Sequence, residues 1–358
     1  MKYALIGCGR IAVNHLKAVL NNNLDLVALC DLKKDRITNL AKQFNIINTC
    51  EYLDYKKMII EHPEIELVAI ATDSGVHAEI ALFCLENGKH VIVEKPIALS
   101  MDDADKMIDL ANKKNLKLCV CHQNRFNEAV KKAKQALDDG RFGKLSHGAI
   151  NVRWARDKNY YDQASWRGKW LSDGGALMNQ CIHGIDLFRW FFGNEIDEIY
   201  GVTRRQFHDY LECEDVGVAV VKFKNGAIGT VEGTVNVYPK NLEETLTIFG
   251  EDATVKIGGT SCNNIDIWDF KSKDKDDSAT KFLHEQTANV YGNGHTLLYK
   301  DMIESIECDR NPSVDGKAGK NALEVVLAIY KSQLTGKPVK IPLKHFGVNE
   351  MIGIFDKR

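Results

Sequence analysis

Residues 1–120 alternate short apolar runs with longer amphipathic ones, and this alternation constrains the fold more than any other feature. Apolar runs fall at Tyr3 to Ile6, Leu26 to Leu29, Leu67 to Ala71, His90 to Val93 and Leu118 to Val120. Between them helical periodicity appears at Ile11 to Leu20, Lys34 to Phe44, Val76 to Asn87 and Met101 to Lys114. The last of these is opened by Ser100, with Asp103 three residues on, in the manner of a capping box. Strand alternating with helix predicts a parallel, doubly wound sheet, because each crossover helix returns the chain to begin the next strand in the same direction.

At the first strand–helix junction stands Gly7-Cys8-Gly9-Arg10-Ile11-Ala12, a GxGxxA pattern. The first glycine permits a tight turn, the second lets a pyrophosphate approach the backbone at the helix N-terminus, and Ala12 lets helix and sheet pack closely. The second strand ends at Asp31, 22 residues beyond Gly9, where an acidic side chain takes the ribose hydroxyls of a dinucleotide. A carboxylate there repels a 2′-phosphate and so favours NAD over NADP; Lys33, Lys34 and Arg36 nearby soften that preference. Thr72-Asp73-Ser74-Gly75-Val76-His77 and Glu94-Lys95-Pro96 stand at the ends of later strands, where open parallel sheets bind ligands. His77 reads equally well as an ordinary early helix residue. Lys95 follows the apolar Val91-Ile92-Val93 and precedes Pro96, which restricts the local backbone. An ammonium held there, partly desolvated, suits polarising or deprotonating a substrate hydroxyl.

After about residue 125 the texture changes. One helix is expected from Asn127 to Asp139, another from Gly174 to Trp190, and then strands at Val216 to Phe223, Ala227 to Val237, Glu244 to Phe249 and Thr254 to Ile257. Turn signals such as Asn225-Gly226 make this sheet a meander, mostly antiparallel. Two more helices are expected near Leu297 to Ile306 and Ala322 to Leu334, with a solvated loop over Lys271 to Ser278 and an irregular tail from Pro338. With 358 residues the chain is too long for one ordinary core. We expect an α/β protein of two domains, residues 1–124 and 125–358.

Lys plus Arg number 47 against 49 Asp plus Glu, a net charge of −2, so nothing draws the chain toward nucleic acid or an anionic membrane. No leader-like N-terminal segment or membrane-length apolar run is evident, which reads as a cytoplasmic protein with a small-molecule partner. The ten cysteines are scattered through apolar segments without a CxxC pair, so no metal is expected and most should be small core residues.

In the expected helix over 174–190, Asn179, His183 and Asp186 lie at i, i+4 and i+7, within about 60° of one another at 100° per residue. Leu177, Cys181, Ile182 and Ile185 flank them, so this is a covered polar face: either satisfied core groups or a site. Gly174 and Gly175 tilt it toward a site, since paired glycines let a ligand approach the backbone. The preceding stretch from Asn151 to Trp170 gathers Arg153, Arg156, Lys158, Arg167 and Lys169 with Trp154, Tyr160, Tyr161, Trp166 and Trp170. Cations interleaved with rings suit a phosphorylated, base-bearing ligand, although Asp157, Asp162 and Asp173 dilute the basic character.

Together, GxGxxA with Asp31, Glu94-Lys95-Pro96, and Gly174-Gly175 with His183 and Asp186 resemble the Gfo/Idh/MocA oxidoreductases over nearly the whole chain. The resemblance implies a Rossmann domain followed by an α/β domain with a large open sheet, NAD as cofactor, and packing into homodimers or homotetramers through that sheet. Within the family, Gln123-Asn124-Arg125, Tyr160-Tyr161-Asp162, Trp166-Arg167-Gly168, Met178-Asn179-Gln180 and Tyr238 to Glu243 resemble the WlbA-type branch. These are UDP-N-acetyl-2-amino-2-deoxyglucuronate (UDP-GlcNAcA) 3-dehydrogenases of surface-polysaccharide biosynthesis. On this footing Lys95 and His183 are the catalytic pair. Gly7, Gly9, Arg10, Ile11, Asp31, Thr72, His77, Glu94, Lys95 and Gln123 contact the cofactor. Asn124, Arg125, Arg156, Tyr160, Tyr161, Trp166, Arg167 and Asn179, with Lys95 and His183, contact the nucleotide sugar. The implied reaction oxidises the C3 hydroxyl, with 2-oxoglutarate a candidate acceptor for regenerating NAD. Two departures matter: Asn179 stands where many members carry aspartate, leaving proton removal to His183 or Lys95, and Asp73 stands where proline is usual. Another sugar or inositol dehydrogenase remains an alternative, against which the basic aromatic run speaks. So does a non-catalytic NAD-binding regulator, which needs neither Lys95 nor His183.

Overall fold

The structure is a computed structural model and describes residues 1–193, 195–285 and 294–356. The chain divides into two compact units, Met1–Cys121 with His295–Lys320, and His122–Gly294 with Asn321–Arg358. The first unit thus takes in a late segment that a division at residue 124 assigns to the second domain.

In the first stretch the elements are β1 (Lys2–Ile6), α1 (Ala12–Asn21), β2 (Asp25–Cys30), α2 (Lys34–Gln43), β3 (Cys50–Tyr52), α3 (Tyr55–Glu61), β4 (Leu67–Ile70), α4 (His77–Glu86), β5 (His90–Val93), α5 (Met101–Lys113) and β6 (Leu118–Val120). The six strands form one sheet in the order β3-β2-β1-β4-β5-β6, every pair parallel. β1 is flanked by both β2 and β4, so the strand order reverses there, and the carboxyl end of β1 is the switch point of a Rossmann sheet. Central strands β4 and β5 bury their apolar side chains on both faces, which is why they read as unbroken apolar runs. β3 escapes that signature. It is a three-residue edge strand, Cys50-Glu51-Tyr52, with no fully buried residue.

The second stretch holds α6 (Glu128–Asp138), β7 (Leu145–Arg153), α7 (Lys158–Asp162), α8 (Ala176–Asn179), α9 (Ile182–Phe192), β8 (Ile196–Arg204), β9 (Val216–Phe223), β10 (Ile228–Thr234), β11 (Glu243–Gly250), β12 (Ala253–Gly258), β13 (Asn264–Phe270) and α10 (Asp277–Thr280). It is followed by α11 (Gly294–Glu307), α12 (Gly316–Thr335) and β14 (Val339–Lys340). Eight strands form a sheet ordered β13-β12-β11-β7-β10-β9-β8-β14, antiparallel at every pairing except β7 with β10. Strands β7, β8 and β13, which apolar patterning does not single out, are half-buried ladders whose outward positions mix polar side chains with exposed apolar ones, Tyr200 and Val202 of β8 among them. β14 lies in the expected irregular tail and pairs with Glu198 and Ile199 of β8.

The inner face of this sheet receives α9. Phe188 and Phe192 pack with Phe223 of β9 at ring separations of 5.5 Å. Two buried ion pairs tie the helix down: Arg189 to Glu324 at 2.7 Å, and Arg125 to Asp186 at 2.6 Å. Among the described residues no helix is long and apolar enough to cross a membrane.

Candidate functional site

The glycine turn of the first unit is built as a phosphate cradle. Gly7 has φ +96°, and a Cβ there would meet the Ala71 carbonyl oxygen at 2.4 Å and the Thr72 nitrogen at 2.9 Å, so only glycine lets the turn press against the end of β4. A Cβ on Gly9 would meet nothing within 4 Å, which leaves the backbone open on the side where α1 begins. No side chain caps α1, and its first turn carries no acidic residue, whereas Asp54 and Ser100 cap α3 and α5. An uncapped helix start behind an open glycine presents its N–H groups to an anion, and these residues fit a dinucleotide. Asp31 is held in place by two backbone donors, Cys8 N–H at 2.9 Å and Lys33 N–H at 2.9 Å, with Arg36 3.7 Å away. The carboxylate is therefore oriented before any ribose arrives. Arg10 is exposed, while Ile11 and Thr72 are half-buried beside the turn.

His77 is not a surface filler. It is buried, its Nδ1 lies 2.8 Å from the Pro96 carbonyl oxygen and its Nε2 3.4 Å from that of Thr72. It joins the turn after β4 to the turn after β5, so its role is to brace these turns. Lys95 is half-buried and its backbone N–H donates to the Glu94 carboxylate at 3.2 Å. Burial alone would push the Glu94 carboxyl up, but hydrogen bonds from His15 and His295 and their charge outweigh it and hold the group well below the ordinary carboxylate range.

In the second unit, Gln123, Asn124 and Arg125 follow β6 in a single tight turn and are all buried. Asn124 Nδ2 lies 3.5 Å from both carboxylate oxygens of the buried Glu244. Arg125 donates from two nitrogens to Asp186, at 2.7 and 2.6 Å, and its guanidinium covers the Trp190 ring at 4.6 Å. That bidentate pair anchors α9 through Arg125.

The expected helix over 174–190 is two helices. Cys181 N–H bonds back five residues to Ala176 O, where Gln180 N–H makes the ordinary four-residue bond to the same oxygen. This inserts a residue between α8 and α9 and breaks the 100° count on which a shared face of Asn179, His183 and Asp186 depended. The three are buried, at 8%, 6% and 1% exposure, but in separate surroundings. Asn179 donates to Asp173 and accepts from Gln180 Nε2 at 2.6 Å. The His183 ring meets the buried His122 edge to face at 5.6 Å. Asp186 holds Arg125.

The basic aromatic segment splits in the same way. Arg156 reaches Gln180 Oε1 and Asn241 Oδ1 at 2.9 Å each and stacks on Trp154 and Tyr160. Arg167 lies 4.0 Å over the Tyr160 ring and 5.6 Å from that of Trp166. The Tyr160 hydroxyl accepts from Gln180 Nε2 at 2.9 Å. Arg156, Tyr160, Arg167 and Gln180 thus form one half-buried cluster of forked donors around a ring. Tyr161 instead packs against His208 and Tyr210 and is buried, and burial pushes its hydroxyl up, so the phenol stays protonated.

Sequence patterning passed over His122, Gln180, Glu244, His15 and His295. Only His122 carried a usable signal, its place directly after a parallel strand. His15, Glu94, Cys121 and His295 bring potential metal-ligating atoms within 4.8 Å of one another, a grouping without any short-range spacing motif. All ten cysteines are free thiols, eight of them buried.

A doubly wound sheet with a phosphate cradle at its switch point and an oriented acid at the end of β2 defines a dinucleotide-dependent oxidoreductase. Residues 1–122 match the family model for the NAD-binding Rossmann fold, and residues 134–341 match that for the C-terminal alpha/beta domain. The chain belongs to the Gfo/Idh/MocA oxidoreductase family, and NAD is its cofactor. It is 34% identical to the WlbA dehydrogenase from Bordetella pertussis, solved in complex with NADH and UDP-GlcNAcA, with a TM-score of 0.88 over 96% of this chain and 98% of that one. The WlbA dehydrogenase from Chromobacterium violaceum, also solved with NADH and UDP-GlcNAcA, gives the same identity and TM-score over 96% of each chain. Among curated relatives, the myo-inositol 2-dehydrogenase of Thermotoga maritima is 25% identical over 347 residues, 95% of this chain and 98% of that one.

Proposed function

We propose that this chain oxidises the C3 hydroxyl of UDP-GlcNAcA to the 3-keto sugar in nucleotide-sugar biosynthesis for surface polysaccharide, as a cytoplasmic homo-oligomer. The observation that carries the reading is the cluster of Arg156, Tyr160, Arg167 and Gln180. A UDP-uronate bears a diphosphate and a carboxylate, and forked guanidinium donors beside an aromatic ring match such oxygens and a stacked base. The 34% identity to two WlbA dehydrogenases across nearly the whole chain supports the same substrate.

Gly7, Gly9, Arg10, Ile11, Asp31 and Thr72 are the residues we assign to NAD, with Gln123 after β6. When bound, NAD supplies the two-electron acceptor for the C3 carbon. Lys95 and His183 are the proposed catalytic residues. An imidazole, with an ordinary pKa of about 6.5, accepts a hydroxyl proton near neutrality, and a lysine ammonium stabilises developing alkoxide charge. His122, edge-on to the His183 ring, restricts the plane that ring adopts. Asn124, Trp166 and Asn179 complete the sugar-binding set, with Asp173 and Gln180 fixing the Asn179 amide. Within the first unit His77 and Glu94 brace the turns after β4 and β5 and stay among the proposed cofactor contacts, and within the second unit Arg125 and Tyr161 stay among the proposed substrate contacts, Arg125 also anchoring α9.

Mixing the protein with NAD and UDP-GlcNAcA, UDP-glucuronate, myo-inositol or glucose, with and without 2-oxoglutarate, tests the reading by NADH absorbance and product mass. Turnover of UDP-GlcNAcA is expected, H183A should abolish it with NAD binding intact, and R167A should raise the apparent KM for the UDP-sugar by about tenfold or more. If the purified protein carries NADH that 2-oxoglutarate oxidises, that acid is the electron acceptor. The 25% identity to myo-inositol 2-dehydrogenase favours a second reading, a cyclitol dehydrogenase, which turnover of myo-inositol alone would establish. NAD binding with no turnover of any substrate would make the protein a regulator.

A further inference from the structure

Behind Lys95 lies a buried polar network. Glu94 Oε1 is 3.1 Å from His15 Nε2 and 3.4 Å from His295 Nε2, while Oε2 accepts from the Lys95 backbone N–H. The two imidazoles meet edge to face at 5.5 Å. His15 Nδ1 in turn lies 2.6 Å from the Tyr299 hydroxyl, which is 2.9 Å from that of Tyr3. These groups come from β1, α1, the end of β5 and α11, with Glu94 and His295 201 positions apart in the chain. All belong to the first unit.

Burying a carboxylate, two imidazoles and two phenols is costly unless each finds partners, and apolar side chains of the same volume stabilise a core at least as well. Stability alone therefore does not call for this arrangement. What it provides beyond packing is a carboxylate fixed from two sides, one oxygen held by the histidines and the other by the N–H of the residue whose side chain does chemistry.

We propose that His15 and His295 are positioning residues: they clamp the Glu94 carboxylate, and Glu94 thereby fixes the turn that directs the Lys95 side chain. This inference rests on the reading of Lys95 as catalytic. It also accounts for why α11, far along the chain, belongs to the first unit. The helix delivers the second half of the clamp.

H295A removes one donor and H295Q restores an amide donor, while His15, fully buried, is left untouched so that the fold survives. With thermal midpoint and NAD affinity close to wild type, H295A should lower kcat on UDP-GlcNAcA about 10- to 100-fold with little change in KM, the cost of a misdirected catalytic group. H295Q should recover most of that loss. Acetylation of Lys95 by acetic anhydride, followed by peptide mass spectrometry, should quicken in H295A while the other lysines keep their rates, a readout independent of any substrate. Wild-type kcat together with an unchanged Lys95 labelling rate in H295A would overturn the clamp. So would a stoichiometric transition metal in the purified protein that H295A loses, since His15, Glu94, Cys121 and His295 would then be a metal centre. If instead K95M turned over normally, the assignment of Lys95 would fail, and the labelling rates would still report on the clamp separately.

Discussion

Single residues in this chain are specified by what their neighbours leave them to do. Asp31 ends β2 with both carboxylate oxygens already bonded to backbone N–H groups, so it offers remaining lone pairs in a fixed direction and a charge unfriendly to a 2′-phosphate. Replacing it by alanine should weaken NAD binding roughly tenfold or more, the value of a hydrogen bond to a charged group, and leave NADP binding the same or tighter. Titration of cofactor fluorescence against the two dinucleotides measures both, and an unchanged preference would remove Asp31 from the ribose. Arg125 shows the converse. Its charge looks available in the sequence, yet Asp186 and the Trp190 ring occupy it.

At the scale of elements, the junction of β9 with α8 is organised around Glu214. Its Oε1 accepts from Leu177 N–H at 2.8 Å and from the Tyr330 hydroxyl at 2.7 Å, and Oε2 faces Gly175, where a Cβ would come within 2.0 Å. Gly175 has φ +99°, so only glycine both turns the chain into α8 and leaves room for the carboxyl group. Burial pushes the Glu214 carboxyl up to about 8, against the lowering effect of its donors. The fold therefore holds a proton that the unfolded chain, titrating near 4.5, has released. A raised folded pKa contributes stability that is fully present below pH 4.5 and is lost as pH rises toward 8. The thermal midpoint of the wild type should accordingly decline across that window more steeply than that of E214Q, whose amide oxygen keeps both donors. Parallel pH profiles in the two proteins, measured by calorimetry, would place the carboxyl in its ordinary range.

For the whole molecule, the open face of the eight-stranded sheet is the feature left to explain. Tyr200 and Val202 of β8 stand exposed beside their register partners Val220 and Val218 of β9, and Ile228 of β10 is exposed nearby. A contiguous apolar strip of this kind on a sheet face suits a covering partner, and the homo-oligomer proposed above would place another copy of the chain there. Val220→Glu should shift the protein toward monomer in light scattering behind a sizing column while leaving its circular dichroism unchanged. An unaltered mass would place the interface elsewhere.

The sequence alone determined that residues 1–120 build a parallel, doubly wound sheet with a glycine turn after its first strand. Parallel strands buried on both faces must be apolar throughout, and the turn at a Rossmann switch point must carry glycine, so Gly7, Gly9, Asp31 and Lys95 announce themselves within short windows. The family followed from how those windows combine. Other features are invisible at that range. A one-residue insertion between α8 and α9 leaves composition unchanged yet rotates everything after it, so the apparent common face of Asn179, His183 and Asp186 was a property of the count and not of the backbone. Edge strand β3 and the half-buried β7, β8 and β13 lack the apolar run that marks a covered strand. Only the tertiary structure decided which charges are already paired, as with Arg125, which polar groups meet across long separations, as with His15, Glu94 and His295, and which tyrosine of a pair is core. Periodicity and turn chemistry act over a few residues, whereas the pairing of buried charges is settled by whichever distant segment the fold brings alongside.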